Sequence, residues 1–229
     1  MALAFTGLEG STSSTDSSIY TTGTVQPGSG GLVLAAILSR RGSGDPGQAA
    51  LTGNGITWVE EDTALVSANR RLTLLRGMID APTSGTISIN FSGTTQTHCS
   101  WAIGYFSGAD TGGTNGSGAI VQNPTATTGT GEATALTLAA FGSANNMAYG
   151  CMGLDASKDI IPGTDFTEAY NVQQAENTST LEVEYKLNET AVATSWTGSQ
   201  AWAQIGIEVK AATAAASGFD LKPTMFEVF

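Results

Sequence analysis

The chain has little charge, little sulfur and almost no imidazole, and each shortage removes a class of function. Charged residues make up 13% of its 229 residues, about half the usual share of a soluble domain. The charge present is one-sided: 9 Lys and Arg against 20 Asp and Glu give a net charge of −11. Nucleic-acid binding needs basic stripes that displace counterions, and none is present. An anionic membrane surface is a poor partner for the same reason. No apolar stretch reaches transmembrane length, and the longest, Leu32 to Leu38, is strand-sized. Met1 to Gly10 has no basic region and carries Glu9, so it does not read as a secretory signal.

Catalytic and metal-binding sets are equally thin. His98 is the single histidine, and Cys99 and Cys151 are the two cysteines. One histidine and two cysteines do not make a typical zinc site. His98 and Cys99 are adjacent in a strand-like run, so their side chains point to opposite faces and do not form a nucleophile–base pair. The expectation for His98 is a surface or strand-edge position. The cysteines sit in apolar runs, which makes buried free thiols the default and leaves a single disulfide open. The acidic residues Glu60, Glu61, Asp62, Asp155, Asp159, Asp165 and Glu168 match no EF-hand loop. Calcium in a loop stays open, with nothing in the pattern selecting it. The run Thr111 to Gly118 is glycine-rich but lacks the lysine of a phosphate loop. No Gly-x-Ser-x-Gly elbow is present, and no cofactor is expected.

What the chain does have is Thr, Ser, Asn and 29 Gly among 41% hydrophobic residues, a mixture suited to strands and turns. Thr86 to Ser92 alternates, with Ile87, Ile89 and Phe91 on one face and Ser88, Asn90 and Ser92 on the other. Leu181 to Leu187 alternates Leu181, Val183, Tyr185 and Leu187 against Glu182, Glu184 and Lys186. Ala201 to Val209 alternates as well. Leu32 to Ser39 is apolar nearly throughout, as in a strand buried on both sides. Further strands are expected at Ile19 to Val25, Ile56 to Glu61, Arg71 to Ile79, Cys99 to Phe106, Ala133 to Ala139, Asn146 to Leu154 and Phe166 to Val172. About ten short strands without a convincing amphipathic helix predict an all-β, antiparallel β-sandwich, jelly-roll-like, over residues 19–210. Residues 1–18 read as an N-terminal arm. Residues 211–229 read as a small-residue linker and a hydrophobic docking arm carrying Phe219, Leu221, Met225, Phe226, Val228 and Phe229. Such a run needs a groove, on a neighbouring subunit or on its own domain.

Four tryptophans could serve packing or sugar stacking. Trp58 and Trp101 are assigned to the core. Trp196 and Trp202 are open between core and an exposed glycan-stacking face.

The stretches Leu51 to Trp58, Arg70 to Arg76, Phe106 to Asp110, Asn115 to Gln122 and Trp202 to Lys210 resemble a broad family of β-sandwich modules. That family occurs in phage virion structural proteins and in some bacterial surface proteins. The resemblance runs from about Gly30 to Lys210 and implies fold and setting, with no catalytic residue to carry over. It implies a non-enzymatic structural subunit of a virion, such as a head decoration protein or a related head or tail component. Such a subunit is assembled in the host cytoplasm, and its partners are other virion proteins and copies of itself. The alternative is a carbohydrate- or receptor-binding adhesion module on a tail tip or cell surface, with a cell-surface glycan as partner. Discrimination rests on oligomeric state and on retention by purified particles.

Overall fold

The computed structural model describes residues 2–122 and 125–213, apart from the side chains of 125 and 126. Among the described residues, fifteen strands form in chain order. They are β1 (Ala4–Ser13), β2 (Ile19–Thr21), β3 (Leu32–Arg40), β4 (Ala50–Thr52), β5 (Val59–Ser67), β6 (Arg70–Met78), β7 (Ser88–Asn90) and β8 (His98–Ser107) in the first half. The second half holds β9 (Thr125–Ala133), β10 (Leu136–Thr137), β11 (Met147–Leu154), β12 (Thr167–Gln174), β13 (Ser179–Leu187), β14 (Ala191–Val192) and β15 (Ser195–Val209). A 3-10 turn, Ser117–Ala119, interrupts the loop between the halves.

These strands build an antiparallel β-sandwich. The first sheet runs β1-β8-β3-β6-β5 and the second β12-β13-β11-β15-β9. Each sheet comes from one half of the chain, so these strand orders carry a sandwich and not specifically a jelly roll. Two smaller sheets cap the outer faces: β2-β7-β4 on the first sheet and the pair β10-β14 on the second.

The packing explains why β3 is apolar at every step. Leu32, Leu34, Ala36 and Leu38 face the second sheet and join Tyr149, Cys151, Val183, Ile205 and Ile207 in the main core. Val33, Ala35 and Ile37 face the other way, against Ile87, Ile89 and Phe91 around the small three-stranded sheet. A full strand of alternating partners on two faces needs apolar side chains at both parities. Each large side chain so buried contributes roughly 1.5–3 kcal/mol.

The N-terminal segment departs from the expected arm. β1 pairs with β8 from Ala4↔Ser107 to Ser13↔Cys99 and forms an edge of the first sheet. Its glycines allow this. A Cβ at Gly7 would stand 2.8 Å from the Tyr170 hydroxyl, and one at Gly10 would enter the Tyr170 ring. Tyr170, on β12, crosses to the first sheet and donates its hydroxyl to the Ile103 carbonyl at 3.1 Å. At the other end, Ala211 bridges Ala109, so sheet pairing runs past residue 210. The strand expected at Ala133 to Ala139 is instead the end of β9 and the short β10.

Candidate functional site

His98 sits on β8, which β1 covers at one edge and the second sheet covers on one face. It is therefore fully buried, not at the surface or a strand edge as the sequence suggested. Its Nε2 lies 2.7 Å from Ser100 Oγ and 3.1 Å from Thr12 Oγ1, and its Nδ1 lies 3.2 Å from Ser179 Oγ. Burial, with help from the Arg70 and Arg40 charges, lowers its pKa to about 3. The imidazole is neutral across the ordinary pH range and is held between hydroxyls.

Both cysteines are free and buried. Cys99 packs toward the small three-stranded sheet, whereas Cys151 lies in the core between the two large sheets. Burial pushes both thiols up, so neither is a ready thiolate.

The tryptophans divide unevenly. Trp101 is buried, with its indole N–H donated to the Glu9 carboxylate. Trp58 packs partly buried on the same cluster. Trp196 is 5% exposed among Met152, Leu154, Ala156 and Ile160. It has no face to offer a sugar, which removes it from the glycan-stacking pair. Trp202 packs partly buried on that cluster and lies close over Gly129, where a Cβ would come within 2.7 Å of the ring.

The expected docking residues Phe219, Leu221, Met225, Phe226, Val228 and Phe229 lie outside the described residues. The place where the chain leaves the body is described. The Lys210 N–H donates to the Ala119 carbonyl and the Ala212 N–H to the Gly108 carbonyl, both at 2.8 Å. Beside this exit is an open groove of about 500 Å³ whose lining includes Ile120, Val121, Asn146, Lys210, Ala211 and Thr213. Val121 is 47% exposed there. Lys210 Nζ pairs with Asp110 at 2.6 Å, and the hydrogen bond holds the Asp110 carboxyl below its ordinary range.

The outer face of the second sheet holds a feature that the alternation of β13 did not reveal. Glu182, Glu184 and Glu208 project on that face and are fully buried. The segment around Ile160, the turn at Gly163 and strand β14 lie over it. Glu208 accepts from Asn146 Nδ2 and from Gln122 Nε2, each at 2.6 Å. Glu184 accepts from the Gly163 N–H at 2.7 Å through one oxygen, while the other has no partner. Burial pushes the Glu184 carboxyl up to about 7, against the Gly163 hydrogen bond. Neither oxygen of Glu182 has a partner among the described residues. Burial, and then the charges of Glu184 and Glu168, push it well above the usual carboxylate range. Lys186, further along the same strand, reaches out to Glu189 at 3.2 Å and Asp165 at 3.8 Å.

Among the described residues, no three side chains of His, Cys, Asp and Glu gather as a metal centre. No helix there is long and apolar enough to cross a membrane. No protein-family model matches the chain, and no curated protein or solved structure matches it.

Proposed function

We propose that this chain is a non-enzymatic structural subunit of a virion, a head decoration protein or a related head or tail component held by subunit contacts. The supporting observation is the exit of the chain. An apolar run, Phe219 to Phe229, is attached just beyond a body that presents an open, partly apolar groove at Ala211 to Thr213. Burying even one such side chain is worth roughly 1.5–3 kcal/mol, so the run favours a covered position over water. The body suits a load-bearing part. Both large sheets are capped on their outer faces, and the imidazole and thiols that chemistry would use are sequestered in the packing. The burial of Trp196 weakens the adhesive alternative, since a stacking platform needs open aromatic faces.

The test is retention. The full chain is mixed with purified virus particles lacking it, and binding is followed by sedimentation alongside the oligomeric state of the free protein. Stoichiometric retention supports the reading. A protein that stays monomeric and unbound on particles but binds a glycan array would replace it with the adhesive one.

A further inference from the structure

Asn171 on β12 stands directly opposite Glu182 on β13 in the antiparallel register, so both side chains share the covered outer face of the second sheet. Three oxygens crowd the Asn171 side-chain nitrogen: Asp159 Oδ1 at 3.0 Å, the Ile160 carbonyl at 3.0 Å and Glu168 Oε2 at 3.1 Å. An amide nitrogen has two hydrogens and serves two such acceptors well, not three. The amide oxygen, meanwhile, is buried without a partner among the described residues, and so are both carboxylate oxygens of Glu182 on the neighbouring strand. The place is rich in acceptors and short of donors. Unpaired buried acceptors cost about 1–3 kcal/mol each, more when charged. Positive charge relieves that imbalance. Lys158 and Lys186 are the nearest lysines in sequence, and neither side chain has a hydrogen bond or ion pair to these acids.

We propose that Asp159, Glu168, the Ile160 carbonyl and the Asn171 side-chain oxygen form a calcium site at the edge of the second sheet. Glu182, buried and without a partner among the described residues, sits opposite Asn171 in the register behind them. Oxygen and nitrogen of an amide are interchangeable by a half-turn of its terminal torsion. That turn brings the orphaned Asn171 oxygen to the point where the three other oxygens converge. Two carboxylates with neutral carbonyl oxygens, open to water on the Asp159 and Glu168 side, suit Ca²⁺, which takes about six to eight oxygens in flexible geometry. Mg²⁺ demands a stricter octahedron and keeps its water. The ion would tie the loop at Asp159 and Ile160 to β12, closing the cover over Glu182 and Glu184.

The test is thermal unfolding of the full chain in chelator, in CaCl₂ and in MgCl₂ at matched ionic strength. With an affinity of about 10⁻⁴–10⁻³ M, about 20 mM CaCl₂ raises the melting temperature by roughly 4–10 °C. MgCl₂ gives a smaller rise. Asp159→Asn and Glu168→Gln, both at exposed positions, melt in chelator at or slightly above the wild type and lose the calcium response. The proposal is overturned if CaCl₂ leaves the melting temperature unchanged, if MgCl₂ matches it, or if both variants keep the full rise.

Discussion

One imidazole links the two large sheets: His98 on β8 faces Ser100 and Thr12 of its own sheet through Nε2 and Ser179 of the opposite sheet through Nδ1. Nearby, Arg70 on β6 pairs with Asp155 at 2.6 Å and donates to the Asn177 carbonyl at 3.0 Å. Polar contacts thus pin the sheets at this end, where the apolar core between them stops.

His98→Ala takes the imidazole from three hydroxyls, of which Ser100 and Thr12 keep each other while Ser179 loses its partner, and opens a cavity. A loss of roughly 2–4 kcal/mol in urea unfolding is expected, with assembly intact once the protein is folded. A folded His98→Ala protein with normal stability but no function would mean that the imidazole does chemistry.

Trp101→Ala tests the layer outside the first sheet. The indole is buried against the small three-stranded sheet and bonds to Glu9. Its removal costs about 3–5 kcal/mol. A loss under about 1 kcal/mol would show that this layer adds little to the core.

Glu184 and His98 set opposing pH slopes. The Glu184 carboxyl is raised from 4.5 to about 7 by folding, so the native state holds the extra proton. Its contribution is full below pH 4.5 and is lost as pH rises through about 7. His98 is lowered from 6.5 to about 3, so the unfolded state holds the proton. That contribution is full above pH 6.5 and is lost as pH falls toward 3. Between the two unfolded values, 4.5 and 6.5, the slopes oppose each other. Glu184→Gln removes one of them. In chelator the variant is expected to be more stable than wild type at pH 8, by roughly 2–3 kcal/mol. Its stability then falls more steeply on acidification from pH 6.5. A variant whose pH profile overlays that of the wild type would contradict the assignment.

The legible parts of the fold are those whose neighbours follow from period alone. Ile87, Ile89 and Phe91 are buried as their alternation requires, and β3 is covered on both faces as its unbroken apolar run implies. β1 and β9 were not legible. Both are built largely from Gly, Ser, Thr and Ala, and Gly7 and Gly10 are small because Tyr170, far along the chain, lies against them. The burial of Glu182 and Glu184 was not legible, because a strand's alternation separates two faces without saying what covers either. The cover comes from β14 and from the loop through Ile160 and Gly163. The same gap hid the convergence on Asn171, since Asp159 and Glu168 match no spaced motif and meet only at its side-chain amide.

The structural role stands most directly on the C-terminal run, and truncation after Ala216 tests it by pairing thermal unfolding of the free protein with assembly or particle binding. The account predicts an unchanged melting temperature together with loss of assembly or particle binding. A truncated protein that melts at a lower temperature and still assembles would contradict it, placing Phe219 to Phe229 on its own domain.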